Sequence, residues 1–440
     1  MTRVTLDEPP RPVKRARARG LHWCPCLATV PAALDGPERS RAILDVLREP
    51  TYYRLWLSGF CINVARWMDI VALGWLALQL TGSPFMVGLA AFARSAPLMA
   101  VGPFAGVVAD RVPRGRVLVA TQAVGVVTAL ALAVIFGSGA GGYWPLVGLE
   151  VVFGLLWALD FPARRTALYA ILGAERVAQA VSLETVSMQL AKILGPLAAG
   201  VCLARLGPAA CFGGMAVVYA AGLGVSVGLR ARLGGPVGET PASVAASLRA
   251  GLHAVWARPT IRAVLLVTIA MNVLFFPYQH MLPVFARDVL AVGPAALGGL
   301  FAADGCGALL GALAIASRRR RLAHRQLFAA AVLVAPGLLV ALAGSRWLPA
   351  CVALLLLMGV AESAFAAMQS TLVLLAAPEH MRGGAMGILS ACIGTQPVGT
   401  LLIGLLAASI GAPLAFGVNA AMALAVILPL AVPLARRSPG

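Results

Sequence analysis

The sequence predicts an all-α membrane protein of twelve transmembrane helices, arranged as two six-helix pseudo-repeats. Three observations carry that expectation. Of 440 residues, 60% are hydrophobic and 12% charged, and the mean hydropathy is +0.88. A soluble domain is usually about a quarter charged, so the bilayer must be the solvent for most of this chain. A spanning helix needs about 20 apolar residues, and residues 54–435 have room for about twelve with their loops. The net charge of +18 comes almost entirely from arginine, set in alternate short loops between apolar runs.

Residues 1–50 stand apart. Lys14, Arg15, Arg17 and Arg19 form a basic run, and Pro9, Pro10 and Pro12 discourage helix. The mildly apolar 21–34 that follows faintly resembles a signal peptide, but His22, Cys24, Pro25, Cys26 and Pro31 interrupt it. The segment reads as a disordered cytoplasmic tail, with 39–53 patterned as an amphipathic helix on the inner membrane surface. Twelve spans follow near 55–79, 85–109, 117–136, 144–163, 179–204, 209–229, 262–285, 294–316, 326–344, 348–370, 383–408 and 412–434. Turn signals separate them: Gly82 and Pro84, the glycine-rich 137–142, Gly207 with Pro208, and Gly411 with Pro413.

Arginine sets the orientation, because cytoplasmic loops carry the excess. One set of loops holds Arg111, Arg114, Arg116, Arg164, Arg165, Arg176, Arg230, Arg258, Arg318 to Arg321, Arg382 and Arg436. The alternate loops hold only Arg205, Arg287 and Arg346. Both termini are therefore expected in the cytoplasm, which requires an even number of spans. The chain divides into a tail (1–50), an N-terminal six-helix bundle (51–230), a cytoplasmic linker (231–260) with an amphipathic helix at 243–258, a C-terminal bundle (261–435) and a short tail (436–440). Each half has an arginine-rich turn, and each has a polar loop, 162–178 or 378–384, before a helix bearing Gly195-Pro196 or Gln396-Pro397. Parallel repeats of this kind place a substrate site between the halves near mid-membrane.

Several function classes fall away. The arginines do not share one soluble surface with interleaved aromatics, so a nucleic-acid partner is not expected. The eight cysteines are scattered, and Cys24 and Cys26 have no ligand cluster beside them. No phosphate-binding loop, metal-spaced histidines or nucleophile constellation is present, so neither enzyme nor cofactor is expected.

Gly106, Asp110, Arg111 and Arg114 fit the Gly-x-x-x-Asp-Arg-x-x-Arg signature between the second and third spans of the major facilitator superfamily, which the chain resembles over about 50–435. Gly195, Pro196 and Gly200 are similar to that superfamily's antiporter motif. Leu73-Gly74-Trp75, Leu80 to Pro84, Phe161 to Arg164 and Leu282 to Ala286 resemble a bacterial efflux branch that includes siderophore and macrolide exporters. The resemblance implies a gate in which Asp110 pairs with Arg114, Arg164 or the helix start after Arg382, and a leak-tight contact of helices 5 and 8 at Gly195-Pro196. Three features depart from the pattern. The first span reads Ala65-Arg66-Trp67-Met68 where the branch has Gly-Asp-Trp-Met, with the acid displaced to Asp69; the fourth offers Glu150 and Asp160 in place of an arginine; and the second-half arginine turn lacks the acid.

Charges inside spans are costly and by default face a cavity or a partner. Here they are Arg66, Asp69, Arg94, Glu150, Asp160, Glu184, Lys192, Asp304 and Glu362, with Asn272 as a neutral companion. All lie on spans that line the cavity in the superfamily. Asp69, Glu150, Asp304 and Glu362 are candidate proton carriers, with Asp69 and Asp304 nearest mid-depth. Fixed ion pairing, for example Arg66 with Asp69 or Lys192 with an acid across the cavity, is the alternative. Trp67, Trp75, Trp157, Phe275, Phe276, Gln189, Gln279 and His280 would add a mixed aromatic and polar lining suited to an amphipathic solute.

The expectation is a monomeric inner-membrane secondary transporter that exports a small organic molecule, with the proton as coupling ion and the lipid bilayer as its medium. An importer or facilitator on the same fold, and a non-transporting membrane sensor or scaffold, are the alternatives. A scaffold has no need of so many intramembrane charges.

Overall fold

The structure, a computed structural model, describes residues 45–230, 233, 258–317, 324–378 and 382–436; the side chains of 101–111, 174, 175, 178 and 383 lie outside the description. The expected tail over 1–44, nearly all of the linker helix at 243–258 and the Arg318 to Arg321 turn fall outside it too.

All regular structure among the described residues is helical. The amphipathic helix expected over 39–53 does not run through. A short 3-10 turn, Val46–Arg48, ends in extended Glu49, because a residue before proline is pushed out of the helical region. Helix α1, Pro50–Thr81, starts on that proline and ends at Gly82, whose φ of 66° is the left-handed cap that glycine adopts at low cost. Helices α2, Pro84–Arg111, and α3, Arg114–Gly137, follow.

The stretch Tyr143–Arg205 is helical apart from one break at Gly173 (φ 67°, ψ 179°). Its arms are α4, Tyr143–Gly173, and α5, Gln179–Arg205. This corrects the polar loop expected at 162–178. Pro162 lies inside α4, and the charges that looked like loop residues are spent on helix partners: Arg164 on Asp160 and Arg165 on Glu184. Helix α6 is Gly207–Arg230 and α7 is Pro259–Asp288. Mid-way, α7 widens into a π turn at Met271–Phe275, an element common at functional sites. Then come α8, Pro294–Ser317, α9, His324–Gly344, and α10, Leu348–Ala376. Helix α11 has two pieces, Arg382–Ile393 and Gln396–Ile410, and α12 is Ala412–Arg436. Among the described residues eleven helices are long and apolar enough to cross a membrane, and Pro84–Ala100 of α2 adds a shorter apolar one.

Helices α1 to α6 pack as one group, with α1 on α5 and α6 and α3 on α6; α7 to α12 pack as a second, with α8 on α10 and α9 on α10 and α12. The groups meet along α5 with α8 and α2 with α11. Glycines permit those approaches, as small residues do where helices pack in lipid. A Cβ at Gly200 would stand 2.5 Å from the Pro294 carbonyl, and one at Gly88 would stand 2.7 Å from the Thr400 carbonyl. In α1, a Cβ at Gly74 would stand 2.7 Å from Pro283 of α7. All three approaches lie at the end away from the arginine loops. Near those loops, the first piece of α11 packs instead on α7 and α10 of its own group. Val127, Val134, Val217 and Leu414 are more than 60% exposed on outer helix faces, which is stable only where hydrocarbon replaces water.

Candidate functional site

The buried charges gather into three clusters at different depths. In the first, within the first helix group, the Arg94 Nε of α2 donates to Asp69 Oδ2 of α1 at 2.5 Å. Glu150 Oε2 of α4 stands 3.2 Å from the same nitrogen yet accepts no hydrogen bond among the described residues, because the single Nε–H points at Asp69. All three side chains are buried. The expected Arg66–Asp69 pair does not form. Three residues apart on α1, the two share a face, but the Arg66 guanidinium lies over the Trp157 ring, 3.8 Å from its centroid.

The second cluster crosses between the groups. Lys192 Nζ, on α5, is 2.6 Å from Asp304 Oδ2 on α8 and 3.1 Å from Glu362 Oε2 on α10. The ammonium donates a hydrogen bond to Glu362; it meets Asp304 off the hydrogen-bonding direction, so neither Asp304 oxygen accepts one among the described residues. Glu362 has more donors. The Tyr278 hydroxyl donates to Oε1 at 3.0 Å, and the Gln279 amide reaches both oxygens at 3.4 Å. One ammonium therefore serves two carboxylates. Trp67 closes one side, with Lys192 5.4 Å from its ring centre and Phe301 of α8 beyond it.

The third cluster lies towards the arginine loops. Asp160 takes a two-pronged pair from Arg164 at 2.9 and 3.0 Å, the geometry that makes arginine–carboxylate pairs strong. Arg164 Nη1 also donates to the Leu55 carbonyl and to Ser58 Oγ, and Thr121 Oγ1 donates to Asp160. Arg164 thus ties α4 to α1, while the side chain of Asp110, its other expected partner, lies outside the described residues. Arg165 pairs with Glu184 of α5 at 3.4 Å. A cavity between α1, α4 and α5 is lined by Trp56, Asn63, Trp157, Phe161, Glu184 and Met188 among others.

The remaining expected residues are placed as follows. Gly106, Asp110 and Arg111 form the last turns of α2, with side chains outside the description. Arg114 and Arg382 open α3 and the first piece of α11. In α5, Gly195 packs on Trp67 and Val64 of α1, while Pro196 and Gly200 pack on Gly298 of α8. Asn272 sits in the π turn and donates to the Thr268 carbonyl at 2.9 Å; Thr268 donates to Gln369. Tyr278, Ser58 and Thr121 were not legible as site residues. Each is an ordinary polar side chain until the register of neighbouring helices is known. The nearest signal for Tyr278 was its place beside Gln279 after the Phe275-Phe276-Pro277 run.

A family described as "transmembrane secretion effector", of the major facilitator superfamily, matches residues 42–438. The multidrug efflux pump Tap of Mycolicibacterium fortuitum is 28% identical over 353 residues, 78% of this chain and 86% of the pump. The staphyloferrin A transporter of Staphylococcus aureus is 25% identical over 163 residues, 37% of this chain and 41% of that protein. Among solved structures, a bacterial homologue of the human lysosomal transporter Spinster, inward-facing and unoccupied, superposes with a TM-score of 0.70 at 14% identity, covering 92% of this chain and all of that one. A peptide transporter, POT, superposes with a TM-score of 0.69 at 16% identity, covering 88% and 95%. These likenesses show the fold.

Proposed function

The chain belongs to the transmembrane secretion effector family of the major facilitator superfamily, and from that premise we propose that it exports small amphipathic organic molecules by alternating access, driven by inward proton flow. The observation that carries the reading is the cluster of Lys192, Asp304 and Glu362. It spans the two helix groups, it is buried, and it holds one carboxylate more than its single cation can neutralise. An uncompensated carboxylate away from water is a place where a proton binds in preference to bare charge.

Asp304 is the proton acceptor in this reading. Glu362 has Lys192, Tyr278 and Gln279 as donors. Among the described residues Asp304 has the Lys192 ammonium as its one donor-side neighbour. Protonating Asp304 leaves Lys192 paired one to one with Glu362 and loosens the α5–α8 seam. The packing supports the same cycle. With arginine loops cytoplasmic, the closely joined ends of α2 with α11 and α5 with α8 are external, so the cavity opens inward to receive cargo from the cytoplasm. The efflux pump among the relatives favours the outward direction.

The test uses everted membrane vesicles energised by respiration and a panel of fluorescent amphipaths. Uptake that collapses with a protonophore, and that is lost in Asp304→Asn, is the expected result. Uptake unchanged by the protonophore overturns proton coupling.

A further inference from the structure

Arg66 is the buried-helix arginine that no carboxylate has claimed. Among the described residues its guanidinium makes no ion pair or hydrogen bond, and its Nε is buried without an acceptor. The neighbouring acids are directed elsewhere: Asp69 and Glu150 converge on Arg94, 25 residues along the chain from Asp69. Arg66 instead lies over the Trp157 ring, and it is partly exposed. Trp157 lines the cavity between α1, α4 and α5. Asn63, one turn before Arg66 on the same face of α1, lines that cavity too; its Nδ2 donates to the Gly59 carbonyl. Trp56 and Phe161 complete an aromatic wall, and the acids nearer the arginine loops, Asp160 and Glu184, are matched by Arg164 and Arg165.

We infer that Arg66 and Trp157 form the recognition site for an organic anion, an aromatic carboxylate in particular. The guanidinium presents its planar fork, which matches a carboxylate with two parallel hydrogen bonds. Its cation–π contact with Trp157 holds that fork in place at small entropic cost. The ligand's aromatic body packs against Trp157, Trp56 and Phe161. The site deepens the transport reading by naming its substrate class: amphipathic cations meet a like charge beside the aromatic wall, and anions meet an unpaired one.

The test compares two dyes with one xanthene skeleton and opposite charge: fluorescein, an anionic carboxylate, and tetramethylrhodamine methyl ester, a cation whose carboxylate is capped. Binding to the purified full-length protein in detergent is read by dye anisotropy, which needs neither a proton gradient nor a direction. Wild type is expected to bind fluorescein about tenfold more tightly than the ester, the scale of a charged hydrogen bond. Arg66→Gln should weaken fluorescein about tenfold and leave the ester unchanged or tighter. Arg66→Lys, which keeps the charge and loses the fork, should fall between. Equal binding of the two dyes by wild type, or an equal effect of Arg66→Gln on both, overturns the assignment. The wild-type comparison stands even where a variant does not fold. Anion-selective binding without export in vesicles would sink the transport reading alone; export without charge preference would sink this site alone.

Discussion

Replacing Lys192 by methionine and Asp304 by asparagine perturbs the same contact in opposite senses. Lys192 lies 2.6 Å from Asp304 and 3.1 Å from Glu362, all three buried. Lys192→Met removes the cation and leaves two carboxylates with none between them. Breaking a buried pair in this way costs about 3–5 kcal/mol, because the surviving charge has no counter-ion. Asp304→Asn removes the excess acid and leaves Lys192 with Glu362, which also keeps Tyr278. Its cost is that of one altered polar contact, about 1 kcal/mol. The two variants should therefore differ by about 2–4 kcal/mol in stability. The double variant should recover part of the loss, since Glu362 retains its neutral donors. Thermal unfolding in detergent, followed by size-exclusion of the soluble fraction, ranks them. Function should rank them differently: Asp304→Asn imitates the protonated state, so substrate exchange between two loaded compartments should persist while uphill export fails. Equal stability of the two variants, or uphill export by Asp304→Asn, would refute the idea of an unmatched acid held by one cation.

Asp160→Asn should leave Arg164 without its two-pronged partner and destabilise the protein by about 3 kcal/mol, measured by the same unfolding assay; a change under about 1 kcal/mol would mean the pair is solvated. Gly298→Leu drives a side chain into the Pro196 backbone, so it should separate α5 from α8 and increase accessibility of a cysteine placed at 298's neighbour Leu297 to a membrane-impermeant thiol reagent, against a background with the native cysteines replaced. Unchanged labelling would mean the seam tolerates bulk. Asp110→Asn should impair transport with the protein still inserted at normal level, checked by immunoblot of membranes alongside vesicle uptake; normal flux would remove this residue from the gate.

The gross fold was legible because the bilayer imposes a simple rule. Apolar runs must be long enough to span, and charge must sit in loops or face inward, so α1 to α12 could be placed from hydropathy and arginine alone. The bonding pattern was less legible because it depends on helix register. Arg66 and Asp69 share a face of α1, and proximity in sequence suggested a pair. The structure pairs Asp69 with Arg94 instead, which requires knowing how antiparallel α2 lies against α1. The stretch 162–178 looked like a loop because it holds proline and arginine. Arg164 and Arg165 are neutralised by Asp160 and Glu184, and the helix continues to Gly173. The π turn in α7 carries no compositional mark at all. Met271 to Phe275 is apolar and unremarkable in sequence, and only the following Pro277, which cannot donate, hints at irregular backbone.

The three charged clusters divide the tasks of a transport cycle by their balance. Asp160 and Arg164 neutralise each other within one helix turn and tie α4 to α1, so nothing is gained by moving them. Around Arg94, two acids and two guanidinia balance overall, but the geometry assigns both acids to Arg94 and leaves Arg66 over Trp157, which lines the cavity. That arrangement is neutral at a distance and cationic beside the cavity's aromatic wall. Lys192 is different in both respects: its partners belong to the other helix group, and they outnumber it. Only there does adding a proton change a contact between the halves.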